Sequence, residues 1–413
     1  MAILNDPVPS HGGSNGKRLV NDIPMSNYSS NSGLQHAAML VAQPLLRQAV
    51  SDAFSSPSGQ RDSGSLARDA ELVRMVEYGS SHGNNSIIPF ATLLRELPSG
   101  KIKEVEIVCN DRPQNNFSAL ASNISSLSLP SSPTPTVYPL LSPKSFYNPI
   151  LPSSSTHLGF SFACLHHLED VPPMSPAHQG AVGASRLSTL RAQSHKDLVK
   201  FLALRAKEFV QNGQLVLSFA SQASTGEENY AGGVGACRAA LVEMLREGVL
   251  GMQAVGAFEV PTYNRSSRDV EGALREVVKR TGEDGENGQI GDKGKGLALW
   301  ELKEVREERV VHPAVEELER RRSAAKQMIE GKKGTEDGDS DSMWYASTIV
   351  DWVMAVVAGY FRKAVESANP SVTEREVDAL AEDWTNRTKK HFLQSHRDEE
   401  TACWFIYVRL RRL

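Results

Sequence analysis

The sequence predicts an α/β protein built on a mostly parallel sheet that carries a helical cap. Three observations predict it. Twice in the first third an apolar strand runs through a short turn into helical spacing, in "AELVRMVEYGSSHGNNSIIPFATLLREL" from Ala70 and "KEVEIVCNDRPQNNFSALASNI" from Lys103. That succession is the signature of a parallel α/β sheet. A third unit, "KDLVKFLALRAKEFVQNGQLVLSFAS" from Lys196, runs from helix into strand, and the third quarter of the chain is mostly helical.

In chain order, residues 1–25 are rich in Pro, Gly, Ser and Asn and are expected to be disordered. "SGLQHAAMLVAQPLLRQAVSDAF", from Ser32, has apolar residues at helical spacing and is expected to form one helix. Strand Val105–Cys109 is followed by a turn over 110–115 and a helix. The Pro/Ser-rich "LSLPSSPTPTVYPLLSPK" from Leu127 is expected to be an exposed insertion. "HLGFSFACLHHL" from His157 suits a buried strand that breaks into a turn at its two histidines. In the third unit Leu198, Phe201, Leu202 and Phe209 share one helix face, Asn212-Gly213 is expected to end the helix, and "QLVLSFA" is the strand. Two further strands are expected in "LALWELKEVREE" and "CWFIYVRL", with helices from Val234, Val270, Ala314 and Trp344 between hydrophilic loops. "STIVDWVMAVVAGYF" from Ser347 contains Asp351 and falls short of the roughly 20 residues of a membrane span, so it is expected to be a buried helix. The implied division is a disordered 1–25, an α/β core with an N-terminal lid over 26–224, a helical cap over 225–295, a core strand over 296–312, cap and core helices over 313–400, and a terminal strand over 401–413.

A formal net charge of -4 gives no reason to expect a nucleic-acid surface, and a small-molecule partner fits better. The four cysteines form no C-x-x-C pair, so neither a metal site nor a disulfide framework is suggested. With no basic start and apolar core at the N-terminus, a cytoplasmic protein that engages no membrane is expected.

The informative stretch is "VEYGSSHGNN", Val76–Asn85. In a parallel sheet, ligands bind at the carboxyl ends of the strands near the reversal of strand order. Gly79 and Gly83, having no Cβ, allow close backbone approach. Their G-x-x-x-G spacing meets neither the dinucleotide fingerprint nor the phosphate-cradling loop, which argues against NAD and ATP. An acid-x-G turn suits a nucleoside without a phosphate chain, S-adenosylmethionine (SAM) being the commonest, and Asp111 at the end of the second strand can accept from a ribose diol. A plain strand–helix turn is the alternative.

At these residues the chain resembles the SABATH family of SAM-dependent methyltransferases, which methylate carboxyl groups, or in some members nitrogen, of small molecules. "NYSSNSGLQ" resembles the family's opening motif through Tyr28, Asn31, Ser32 and Gln35, "VEYGSSHGNNS" its glycine turn, and "VCNDRPQNNFSAL" its second strand and turn. "SFYNPILPSSSTHLGFSFACLHHLEDVP" and the helix-strand unit from Lys196 match in order. The resemblance implies a doubly wound, seven-stranded, Rossmann-like methyltransferase sheet and a site without metal. It implies that Tyr28, Ser32, Glu77, Gly79, Asn85, Asp111, Arg112, Ser145 and Phe146 surround SAM, with Asp111 at the ribose and Ser145 and Phe146 at the adenine. Glu77 stands for the family's Asp, Ser80 for a Cys, and Arg112 for an apolar residue, where a guanidinium could stack on the adenine.

On the acceptor side the resemblance implies that Gln35 and His167 orient a substrate carboxylate, with His166 beside them. His167 stands where the family has tryptophan, and an imidazole N–H can also donate. Adjacent histidines at a strand end are equally compatible with plain packing. His157 and Phe160–Phe162 suit packing, as do Trp344, Trp352 and Tyr360. Ala163 replaces a wall tyrosine, so a non-aromatic acid, a dicarboxylate or an amino-acid derivative suits the pocket. The activity implied is methyl-ester formation on a small carboxylic acid, in a chain that can form a homodimer as its relatives usually do. Methylation of nitrogen or hydroxyl, with His167 as base, a silent SAM-binding relative, and a non-SAM interaction protein are the alternatives.

Overall fold

The computed structural model describes residues 31–54, 71–98, 100, 102–127, 135–171, 182–279, 297–329 and 337–413. Tyr28 and the segment expected to be disordered lie outside them.

Seven strands form the main sheet: β1 (Leu72–Tyr78), β2 (Glu104–Asp111), β3 (Thr136–Pro143), β4 (Thr156–Phe162), β5 (Phe209–Ala220), β8 (Trp300–Val311) and β9 (Ala402–Arg412). A separate two-stranded ribbon pairs β6 (Val278–Lys279) with β7 (Leu297–Ala298). The order in the main sheet is β3-β2-β1-β4-β5-β9-β8. From β3 to β5 all pairings are parallel, and β9 enters antiparallel to both β5 and β8. The strand order therefore reverses between β1 and β4.

Period-two alternation sorts the sheet residues onto two covered faces. Phe405 and Tyr407 of β9 join one buried cluster with Met75, Ile107, Phe160 and Val216. Ile406, Val408 and Leu410 join the other, with Val76, Leu215, Leu217 and Phe219. On the first face lie α1 (Gly33–Val41), α2 (Gln43–Phe54), α3 (Ile87–Glu96) and α4 (Phe117–Ser125). On the second lie α5 (Val182–Glu208) and α8 (Ser267–Glu276). The cap consists of α6 (Ala231–Arg246), α7 (Met252–Ala257), α9 (Pro313–Ile329), α10 (Asp337–Ala368) and α11 (Glu374–Ser395), with α10 touching each of the others. Its centre is Trp384, fully buried, stacked on Phe361 and donating its indole N–H to the Cys237 carbonyl.

Three expectations are corrected, and a fourth, the helix containing Ser347, is corrected in its length. The helix from Ser32 is two helices, because Pro44 cannot donate to the carbonyl four residues back, and the chain turns at Ala42. The Pro/Ser-rich stretch is not wholly an insertion: Thr136–Pro143 is the edge strand β3, where Pro139 is tolerated because one side of an edge strand needs no N–H donors. The helix before β5 ends at Glu208, and Asn212-Gly213 instead forms an irregularity inside β5, with Asn212 at φ 65° and the register shifting opposite Thr156 and Leu158. The helix containing Ser347 is 32 residues long, and Ser340–Ala368 would meet the length and apolarity of a membrane span. Tyr345, Ala346, Ile349, Val350 and Trp352 are nevertheless buried in the protein.

The lid helix α1 is tied to distant parts of the chain. Tyr407 on β9 donates to the Ala38 carbonyl at 2.9 Å, and Arg306 on β8 donates to the Val41 carbonyl at 3.0 Å.

Candidate cofactor and acceptor site

A cavity of about 670 Å³ opens at the carboxyl ends of β1, β2, β3 and β4, over the point where the strand order reverses, and α1 closes one side. It brings together Ser32, Gln35, Glu77, Gly79, Asn85, Asp111, Arg112, Ser145, Phe146 and His167. His166 does not line it. Its ring lies 4.4 Å from that of His167, and its Nδ1 is buried without a hydrogen-bond partner among the described residues. The two rings are in contact, but only that of His167 reaches the cavity.

The turn after β1 is held by β2. The N–H groups of Gly79 and Ser80 both donate to the Asn110 carbonyl at 2.9 Å. Asp111 accepts the Ser81 N–H at 2.6 Å on Oδ2 and the Arg112 N–H at 2.7 Å on Oδ1. Ser81 has φ 48°, a conformation these contacts enforce on a residue with a Cβ. Gly79 has φ +91°, and a Cβ there would stand 2.5 Å from Cys164 Sγ. The turn thus presses directly on the end of β4. Gly83 also has positive φ and lines the cavity, and its added Cβ would meet Leu120 of α4 at 2.7 Å, so the position serves helix packing as well.

Beyond Asp111, the Asn110 amide donates to the carbonyls of Ser142 and Lys144 at 2.8 and 2.6 Å. This fixes where the chain leaves β3 and hence where Ser145 and Phe146 stand. Asn85 bridges the turn to the lid, with Oδ1 3.0 Å from His36 Nδ1 and its amide donating to Ser32 Oγ at 3.4 Å.

Burial shapes the electrostatics. Glu77 is 5% exposed, and burial pushes its carboxyl up to about 7 against the weaker pull of the Ser86 and Ser80 hydroxyls beside it. Its Oε2 has no hydrogen-bond partner among the described residues. Asp111 is also raised, chiefly by burial. His167 is drawn down to about 4 by burial and then by the neighbouring Arg112, so its imidazole is neutral at physiological pH.

On the acceptor side, the Trp352 indole N–H donates to Gln35 Oε1 at 3.2 Å. This turns the amide so that its two N–H donors remain for the cavity. Met39, Phe162 and Ala163 add an apolar wall. Arg112 lines the cavity, and its guanidinium acts electrostatically on His167, Cys164 and Tyr360. Its charge therefore faces the ends of β4 and the cap as well as the turn after β2.

These residues fit a nucleoside. Asp111 keeps acceptor capacity beside its two N–H contacts, Glu77 lines the cavity, and Gly79 leaves a cradle that a Cβ would fill.

The family profile described as SAM dependent carboxyl methyltransferase matches residues 24–284. O-methyltransferase acrG of Aspergillus aculeatus is 42% identical over 96% of this chain and 99% of its own length. Methyltransferase LUC1 of a Fusarium species is 40% identical over 95% and 98%. The solved loganic acid methyltransferase with SAH superposes with a TM-score of 0.65 over 94% of this chain and 98% of its own, at 18% identity, and shares the fold. The protein is a methyltransferase that uses SAM. It belongs to the SAM-dependent carboxyl methyltransferase, or SABATH, family.

Sequence reasoning did not find Trp352 as the partner of Gln35, because 317 residues separate them and helical spacing marks Trp352 only as core. The packing expected of Phe160–Phe162 holds for Phe160, which is core, whereas Phe162 lines the cavity. His157 does serve structure, its Nδ1 accepting the Arg74 N–H at 3.0 Å.

Proposed function

We propose that the protein transfers a methyl group from SAM to the carboxylate of a small-molecule acid, releasing a methyl ester. The observation that carries this reading is the Gln35 amide, whose oxygen is engaged by Trp352 and whose N–H donors are left for an acceptor oxygen. His167, which lines the same cavity, supports it as a neutral imidazole that can donate one N–H.

Bound SAM supplies an electrophilic methyl carbon on a sulfonium that departs as a neutral thioether. The residues of this chain do the positioning. Asp111 would hold the ribose hydroxyls with Glu77 beside it, Ser145 and Phe146 would flank the adenine, and Ser32 and Asn85 would close over them. Gln35 and His167 would hold the carboxylate and orient it for transfer. Such alignment can lower a barrier by roughly 7 to 11 kcal/mol. A carboxylic acid of ordinary pKa is already ionised at neutral pH and needs no general base. With its pKa near 4, His167 is poorly matched to deprotonating a hydroxyl or ring nitrogen, which favours the carboxylate over those acceptors.

The test is transfer from methyl-labelled SAM to a panel of aliphatic, aromatic, dicarboxylic and amino acids. Label in a base-labile product on an acid is the expected result. Label appearing only in base-stable products would move the assignment to a nitrogen or hydroxyl acceptor.

A further inference from the structure

Behind the cavity, outside its lining, lies a buried polar triad: Tyr78 at the end of β1, with Arg205 and Glu208 one turn apart on α5. They are 0%, 0% and 2% exposed. Arg205 Nη2 donates to Glu208 Oε1 at 2.8 Å, and the Tyr78 hydroxyl donates to Glu208 Oε2 at 3.2 Å. The guanidinium carbon stands 4.4 Å from the centroid of the Tyr78 ring.

Among the described residues, the remaining side-chain hydrogen bonds of the triad go to one stretch of main chain, while Tyr78 and Arg205 also pack on the Phe201 ring. Arg205 donates from Nη1 to the Phe146 carbonyl and from Nη2 to the Asn148 carbonyl, each at 2.9 Å, and Glu208 Oε1 accepts the Ile150 N–H at 2.7 Å. This stretch follows β3 and belongs to no helix or strand, so it has no ladder of its own to fix it. A buried ion pair is a weak device for stability alone, since well-packed apolar side chains often do as well. Here the pair supplies three fixed points to the segment that carries Phe146 into the cavity. The Phe146 ring also packs edge-on against Phe201 of α5 and would lie 3.8 Å from a Cβ on Gly79.

We infer that Tyr78, Arg205 and Glu208 are positioning residues that set the affinity for SAM without touching it, by fixing the main chain of the wall formed by Phe146 and Asn148. The inference rests on the assignment of Ser145 and Phe146 to the adenine. The triad joins the turn after β1 to that wall, so the ribose side and the adenine side are held in register by one hydrogen-bonded unit. A guanidinium suits this task because its planar fork can serve two carbonyls and a carboxylate together, which an ammonium on a flexible stem cannot.

The experiment is a double-mutant cycle on SAM binding, read by calorimetry on the full chain. Arg205→Lys keeps the charge, and is expected to weaken SAM by roughly tenfold or more while kcat at saturating SAM stays within about threefold. In a Phe146→Ala background, Arg205→Lys is expected to add less than about a further twofold, because the group it positions is gone. Additive effects, or a folded Arg205→Lys protein that binds SAM within about twofold of the parent, would overturn the inference. Should Arg205→Lys not fold, Tyr78→Phe removes only one hydroxyl contact and is expected to weaken SAM by roughly threefold to tenfold; unchanged affinity there overturns the inference as well. If Phe146→Ala alone leaves SAM affinity intact, the adenine assignment is what fails.

Discussion

Trp352 reaches from the cap to the lid and donates its indole N–H to Gln35 Oε1 at 3.2 Å. The indole also packs between Tyr230 and His312 at 5.3 and 5.4 Å, so it cannot swing away. Replacing it by Phe keeps most of the packing and frees the amide to rotate. One hydrogen bond of this kind is worth about 1 kcal/mol. The expected outcome of Trp352→Phe is a KM for the acid raised about fivefold with SAM affinity unchanged, measured by steady-state kinetics and calorimetry.

Gly79 admits no side chain. Its φ of +91° lies where L-residues are strained, and the added Cβ would sit 2.5 Å from Cys164 Sγ and 3.0 Å from Cys164 Cβ. Gly79→Ala must therefore move the turn or the end of β4. A loss of SAM affinity of roughly tenfold or more is expected, since the strain alone is worth about 1–2 kcal/mol. Calorimetric titration with SAM checks it, and parent-like affinity would show that the turn can shift without consequence.

Stability of the unliganded protein is expected to fall as pH rises from about 4.5 to about 7 on account of Glu77. Its pKa is raised from 4.5 to about 7 by burial, so across that window the folded chain holds a proton that the unfolded chain has lost. Unfolding then releases a proton, and rising pH favours it. At about 1.4 kcal/mol per pH unit, ionising this carboxyl in the fold costs on the order of 3 kcal/mol. Glu77→Gln should flatten this part of the pH profile and raise stability at pH 7.5. Denaturant midpoints at several pH values, with parent and variant compared, would show whether the slope belongs to this residue.

Arg112 places a cation in the cavity, and among the described residues no ion pair joins its guanidinium. An anionic acceptor held at Gln35 and His167 would lie in the field of this cation, which already acts on His167. Arg112→Leu is expected to raise the KM of the acid by roughly tenfold or more, the range of a charge-assisted hydrogen bond. SAM affinity should change by less than about threefold. A variant that loses SAM instead would return Arg112 to the adenine, where the family motif puts an apolar residue.

The parallel half of the sheet and its ligand turn were legible because each strand, turn and helix there is contiguous in sequence. Asp111 could be placed at the end of β2 by counting, and Gly79 by its turn. The acceptor side was harder. Gln35 could be named from a motif, but what turns its amide is Trp352, and nothing in helical periodicity separates an indole that fills a core from one that donates out of it. Of the adjacent His166 and His167, whose rings touch, only His167 lines the cavity, and no sequence pattern separates the two. The edge strand β3 was hidden by its prolines, which local propensity reads as loop and which an edge position tolerates. Arg205 and Glu208 stood in the sequence as an i, i+3 pair, but the chain they hold lies about 60 residues earlier.

The fastening of α1 bears on how such enzymes can be recombined. The lid is secured by Tyr407 across 369 positions, by Arg306 across 265 and by Trp352 across 317. A chimera that exchanged only the N-terminal lid for that of a relative would seat it on foreign anchors. With Gln35 at the acceptor as proposed, acceptor preference would be the joint property of segments far apart in sequence, and α1, α10, β8 and β9 would have to be transplanted as a set.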